Sequence, residues 1–157
     1  MSTSTESCLI CGMESSDDES VIFRDDLWAA EIGPGMEVPG WFVLRTRRHA
    51  ELITGLHDVE VDGLGRRLRA LVAAVAAATG APATYQLVFL ENNRHYHALV
   101  AARGEHVPAD RRGGNLLKLL DEGHRDLAAC QAIVPQVRAA YRRIVDRDQQ
   151  TTSTQRG

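Results

Sequence analysis

Strand-like runs open the chain, a helical rhythm fills its middle, and strands return before a helical end. Val21–Arg24 and Leu27–Ile32 are rich in β-branched and aromatic residues and predict two strands joined by an Arg24-Asp25-Asp26 turn. Gly33-Pro34-Gly35 breaks the second, and Pro39-Gly40 leads into a third over Trp41–Arg45. From Asp58 the period changes. Val61, Leu64, Leu68, Leu71, Val72 and Val75 recur at three- and four-residue steps, which marks an amphipathic helix. Asp58 is its expected N-cap, Gly80 its C′ residue, and Pro82 stands just beyond. Gly63 and Gly65 lie in its first turns and cost about 1 kcal/mol each against alanine.

Tyr85–Leu90 and Arg94–Ala102 read as the next two strands, joined through Glu91-Asn92-Asn93. Alternation along the last strand puts Asn93, His95, His97, Leu99 and Arg103 on one face. Tyr96, Ala98, Val100 and Ala102 fall on the other, which suits a packed interior. Beyond a loop over Val107–Gly114, Asn115 caps a helix running to Leu120, and Leu127–Ile133 is helical. Pro135 fits the first turn of a final helix carrying Val137, Tyr141, Ile144 and Val145 on one face. The order predicts an α+β fold with a mainly antiparallel sheet of about five strands, one central helix and C-terminal helices. One domain is expected over 8–148, between a Ser/Thr-rich tail at 1–7 and a polar, disordered tail at 149–157.

Composition narrows the partners. The 157 residues are 44% hydrophobic and 25% charged, enough apolar content for a core. A net charge of −3 gives no general affinity for nucleic acid, although Arg45–Arg48 and Arg111–Arg112 are locally basic. The longest apolar run, Leu71–Ala78, falls far short of the ~20 residues that cross a membrane. Met1–Ser7 has no apolar segment of the signal-peptide kind, so a cytoplasmic protein is expected. Cys130 reads as a small buried apolar residue, whereas Cys8 and Cys11 form a C-x-x-C pair.

Two groups of residues could carry chemistry. Cys8, Cys11, His49 and His95 together offer the Cys2His2 donor set of a tetrahedral zinc site. Taken singly, each has a bland alternative: a non-ligating C-x-x-C, a surface histidine after two arginines, a satisfied sheet histidine. A redox role for the thiols would need a thioredoxin-like βαβ start, and here a polar terminus precedes a hairpin. If His95 is a ligand, His97 remains free to attack phosphorus and form a covalent intermediate. Asn92, Asn93, strand amides and Arg103 are then candidates to hold phosphoryl oxygens. From spacing alone, a merely packed His97 stays open.

The residues together resemble the histidine-triad (HIT) superfamily of nucleotide hydrolases and transferases, over Cys8 to Arg103. The resemblance rests on the N-terminal C-x-x-C and on Pro39 to His49, similar to a strand that begins Pro-Gly-His and ends Pro-Arg-Arg-His. It rests also on the helix and strand that follow, and on His95-Tyr96-His97-Ala98-Leu99-Val100-Ala101-Ala102-Arg103 against His-x-His-x-His-x-x-Pro-Arg. Anchoring on Arg103 makes His95 the first triad histidine, His97 the second and Leu99 the substitute for the third. The alternative register would make Asn93 the first and His97 the third. The first register implies structural Zn2+ on Cys8, Cys11, His49 and His95, and His97 as the nucleophile that forms a nucleotidyl-histidine. Glu31, in Glu31-Ile32-Gly33-Pro34, matches a carboxylate that binds ribose hydroxyls, and Phe23 and Trp28 would line the base pocket. Family members often pair as homodimers through the central helix and a sheet edge, which Asp58–Thr79 permits here.

The departures bear on activity. Leu99 cannot donate the hydrogen bond of the third histidine, Glu91 stands where the family usually has Gln, and Ala102 replaces Pro. Three functions therefore remain: a HIT-like enzyme acting at the α-phosphate of a nucleotide conjugate, a nucleotide-binding protein without turnover, or a zinc-stabilised interaction module.

Overall fold

The computed structural model describes residues 7–154; the tail expectations for 1–6 and 155–157 lie outside the described residues. In chain order the elements are α1 (Leu9–Gly12), β1 (Val21–Arg24), β2 (Trp28–Glu31), β3 (Trp41–Thr46), α2 (Asp58–Thr79), β4 (Ala83–Leu87), β5 (His97–Arg103) and α3 (Leu127–Thr154). The five strands form one antiparallel sheet in the order β1-β2-β3-β5-β4. The expected α+β class therefore holds. No described helix is long and apolar enough to cross a membrane.

Alternation divides the sheet into two faces, each with its own core. Trp28, Ala30, Phe42, Leu44, Val100 and Ala102 pack against α2 and α3, with Leu71, Val75, Val134 and Val137. Trp41, Val43, Leu99 and Ala101 pack on the opposite side with Ile10, Met13 and Leu116. Among the described residues the second face is covered by α1, by loops and by the 3-10 segment Gly113–Leu120.

Several boundaries differ from the expectation. The N-cap of α2 is His57, whose N–H donates to Glu60 Oε2 at 2.7 Å, while Gly80 closes the helix at φ 63°. The last two strands are displaced, β4 ending at Leu87 and β5 beginning at His97. The intervening chain leaves the sheet because Tyr96 N–H donates to Ala50 O at 2.6 Å and His95 N–H to Asn93 O at 2.9 Å.

The C-terminal region is one helix over Leu127–Thr154, not two. Pro135 withholds an N–H from the Gln131 carbonyl, a defect costing ~3 kcal/mol in an isolated helix. Here Val134, Val137, Ala140 and Tyr141 are buried around it and keep the helix continuous. In its last turn the hydroxyls of Thr151, Thr152, Ser153 and Thr154 donate to carbonyls four residues earlier.

Candidate functional site

The C-x-x-C pair forms a single helical turn, α1, with Cys8 as its cap and the Cys11 N–H donating to Cys8 Sγ at 3.4 Å. That turn presents both thiols to His49, just after β3, and to His95, just before β5. Cys11 Sγ lies 3.3 Å from Nδ1 of His49 and of His95, and Cys8 Sγ lies 3.5 Å from His95 Nδ1. All four donor atoms lie within 4.8 Å of one another. In a tetrahedron with Zn–S of ~2.3 Å and Zn–N of ~2.0 Å, donors stand roughly 3.3–3.8 Å apart. The donor set and spacing therefore fit zinc.

The surroundings prepare His95 for that role. His95 is fully buried, and its Nε2 lies 2.8 Å from the Thr46 carbonyl oxygen, so Nε2 carries the proton and Nδ1 keeps its lone pair. Burial, with the His49, Arg45 and His97 charges, pulls its pKa down to about 4 despite the Thr46 bond. The imidazole is thus neutral at pH 7, as a ligand must be. Burial and neighbouring Cys8 push the Cys11 thiol up to about 11, so holding a cation means displacing that proton.

His97 points elsewhere. It opens β5 opposite Arg45 and lines a cleft of about 550 Å³ with Leu99, Glu91, Asn92 and Asn93. Its Nδ1 lies 2.6 Å from the His95 carbonyl oxygen. With the proton on Nδ1, Nε2 is left with its lone pair, the form a nucleophile needs. The cleft is otherwise mostly apolar, and among the described residues no Lys or Arg lines it. Leu9, Ile10 and Met13, flanking the two thiols, form part of its wall. Gly33 lines it too, where a Cβ would meet Val43 Cγ2 at 2.6 Å.

Four site candidates from the sequence stand apart from this cleft. Glu31 is fully buried in an ion pair with Arg45 at 2.8 Å, and Arg24 adds a second contact at 3.3 Å. Its carboxylate is engaged beneath Met13–Ser16, whose carbonyls Arg24 also holds. Trp28 is wholly buried on the helix side of the sheet, and Phe23 stacks on Tyr141 with centroids 4.3 Å apart. Neither ring lines the cleft, because both project toward α2 and α3. Arg103 ends β5, six residues and roughly 20 Å beyond His97. Cys130 is fully buried among the helices, as expected.

Sequence reasoning missed three contributors. Thr46 acts on His95 mainly through a backbone carbonyl, which leaves no trace in residue identity. Glu14 bridges Arg45 at 2.9 Å and Arg47 at 3.1 Å, pinning the segment after the thiols to β3. The apolar residues between and beside the two cysteines, Leu9, Ile10 and Met13, were the only available sign that this turn builds a wall.

No family model matches the sequence, and no curated protein does. Solved structures do share the fold. A Zn-bound histidine triad family protein from Mycobacterium smegmatis is 16% identical with a TM-score of 0.66, over 91% of this chain and 99% of that one. A hypothetical histidine triad nucleotide-binding protein from Sulfolobus tokodaii is 12% identical, also with a TM-score of 0.66, over 87% and 93%. A uridylyltransferase is 19% identical with a TM-score of 0.62, covering 88% of this chain but 46% of its own. The chain has the histidine-triad fold.

Proposed function

We propose that the protein is a HIT-like hydrolase or nucleotidyltransferase acting at the α-phosphate of a nucleoside phosphate anhydride, ester or phosphoramidate. The observation that carries this reading is the 2.6 Å contact between His97 Nδ1 and the His95 carbonyl, inside a cleft, which frees Nε2 to attack. The fold shared with a nucleotide-binding protein and a uridylyltransferase supports it. The Nε2 lone pair forms an N–P bond, and the bond to the leaving group breaks with its electron pair. Leu99 has no proton to give, so the leaving group takes one from water. A second water then attacks phosphorus, loses its proton, and releases the nucleoside monophosphate and His97.

Asn92 and Asn93 donate to the phosphoryl oxygens in this reading, and the apolar walls hold the rest of the conjugate. Cys8, Cys11, His49 and His95 would hold zinc, which fixes the wall and takes no part in the bond changes. A homodimer is proposed through the open side of β4. Among the described residues that strand pairs with β5 alone, and Val88 and Phe89 just beyond it are 46% and 66% exposed.

The deciding experiment incubates the protein with an adenosine 5′-phosphoramidate, traps with acid, and looks for a nucleotidyl adduct on His97 by mass spectrometry. Neither turnover nor adduct across a panel of nucleotide conjugates would overturn the enzymatic reading. A second reading, nucleotide binding without turnover, is favoured by Leu99 and by the lack of a lining Lys or Arg among the described residues. It predicts nucleotide-dependent thermal stabilisation with no product.

A further inference from the structure

Arg103, displaced from the cleft, sits in a different constellation. Tyr85 on β4 pairs with Ala101 on β5, and Arg103 stands two residues further on, so Tyr85 and Arg103 share a sheet face as diagonal neighbours. The Tyr85 hydroxyl accepts the Gly113 N–H at 3.1 Å, which brings the residue before it, Arg112, to the same place. Gly113 has φ +60°, a turn that lets its amide face the phenol. It begins a helical segment whose first amides have no acceptor within the segment. The two guanidiniums are uncompensated. Among the described residues neither has a carboxylate partner: Arg103 Nη1 reaches Gly104 O at 3.5 Å and Arg112 Nε reaches Val107 O at 3.2 Å. Of the acids near them along the chain, Asp110 and Glu122 are taken by Arg111, and Glu105, two residues after Arg103, forms no ion pair with either guanidinium among the described residues. Arg103 Nε is buried and has no hydrogen-bond partner at all. A buried guanidinium N–H left without an acceptor costs stability unless something supplies one.

We propose that Arg103, Arg112 and Tyr85 form an oxyanion site for a phosphoryl group, separate from the His97 cleft. Two guanidiniums and a hydroxyl match the several acceptor oxygens of a phosphate, which arginine binds through paired N–H donors. The Gly113 amide, chiefly, and then the hydrogen bond and charge of Arg103 and the charge of Arg112 hold the Tyr85 phenol below its ordinary range against its desolvation. The roughly 20 Å between His97 and Arg103 along β5 is too long for one phosphate to serve both places.

The test titrates the whole chain with inorganic phosphate and with phenyl phosphate, followed by 31P NMR and by the amide signal of Gly113. Saturable binding of either probe that shifts the Gly113 amide is expected. Arg112→Gln, an exposed position, should weaken it at least about tenfold without moving the melting temperature of the free protein. Arg103→Gln should weaken it similarly, and His97→Ala should leave it unchanged. Binding by phenyl phosphate alone would identify the source as a phosphorylated molecule, and equal binding of both would identify free phosphate as sufficient. The proposal is overturned by no saturable binding of either probe, by unchanged affinity in Arg112→Gln, or by loss of binding in His97→Ala.

Discussion

The Nδ1 atom of His97 stands 2.6 Å from the carbonyl oxygen of His95, so the residue proposed as nucleophile is oriented by a residue whose own ring joins the Cys8, Cys11 and His49 cluster. One short strand entry thus serves two purposes. The His95 ring turns to the thiols, its carbonyl fixes the tautomer of its neighbour, and His97 faces the cleft.

Removing the imidazole tests the assignment directly. His97→Ala should lower single-turnover hydrolysis of a nucleoside phosphoramidate by on the order of 10³-fold or more, as loss of a nucleophile does elsewhere. The melting temperature should barely change, since His97 is only partly buried. Retained turnover in this variant would place the chemistry on another residue.

Leu99 offers the opposite experiment. It lines the cleft two residues after His97, where a donor could reach the departing group. Leu99→His should raise turnover roughly 10²–10³-fold, the value of one well-aimed donor to developing charge. It should also lower the melting temperature, because Leu99 is 5% exposed among Val43, Trp41 and Leu116 and an imidazole is costly there. Steady-state kinetics and a thermal scan on one preparation read both effects.

The sheet and central helix were legible because their apolar periods are clean: Val61 to Val75 is unmistakably helical, and Val21–Arg24 keeps its predicted bounds. The four-donor cluster was legible too, since Cys and His have few other reasons to assemble. What stayed hidden depends on long-range pairing. Glu31 looked like a free carboxylate because nothing local says that Arg45, fourteen residues on, will lie against it. Phe23 and Trp28 looked available because aromatic residues announce burial or binding equally well, and only the packing of α3 decides. Pro135 predicted a helix start, a local rule overridden by burial on both sides of it.

The Glu31–Arg45 pair is exacting. Both side chains are fully buried, so Arg45→Met leaves a carboxylate with Arg24 as its only cation, at 3.3 Å. The loss should be about 3–5 kcal/mol by urea denaturation. Removing both charges, with Glu31→Leu added, should recover much of it, as is usual when a buried pair is replaced by apolar groups. A double variant no better than Arg45→Met would mean that Glu31 is stabilised by groups other than Arg45.

Glu60 links stability to acid. Its bond to Arg48 at 2.7 Å holds its pKa below the ordinary 4.5, outweighing burial, and the His57 amide adds to this. Because the folded value is the lower one, the stabilisation is fully present above pH 4.5 and is lost as pH falls through the folded value. Glu60→Gln should therefore cost about 1–2 kcal/mol at pH 7. The gap between variant and parent should hold down to about pH 5 and narrow below 4.5, as read by denaturation across that range. A gap that stays constant to pH 3 would remove Glu60 from the account.

The two thiols join the four-donor cluster to the cleft through three apolar residues. Leu9, Ile10 and Met13 belong to the same short segment as Cys8 and Cys11, and all three line the His97 cleft. α1 is a single turn that could not persist alone, and its other anchors are Ile10 and Met13 in the second core and the Glu14 pairs with Arg45 and Arg47 just after it. Zinc bound to the folded state stabilises it by mass action, about 4 kcal/mol at a thousandfold excess over Kd. Chelation, or Cys11→Ser, should therefore lower the melting temperature and raise amide exchange in Leu9–Met13 before it does so in β3 or α2. Nucleotide-dependent thermal stabilisation should shrink with it, because one wall of the cleft is no longer held. If exchange rises uniformly, the metal supports the whole fold. If it rises only around the cysteines while nucleotide stabilisation is unchanged, the wall does not depend on the metal.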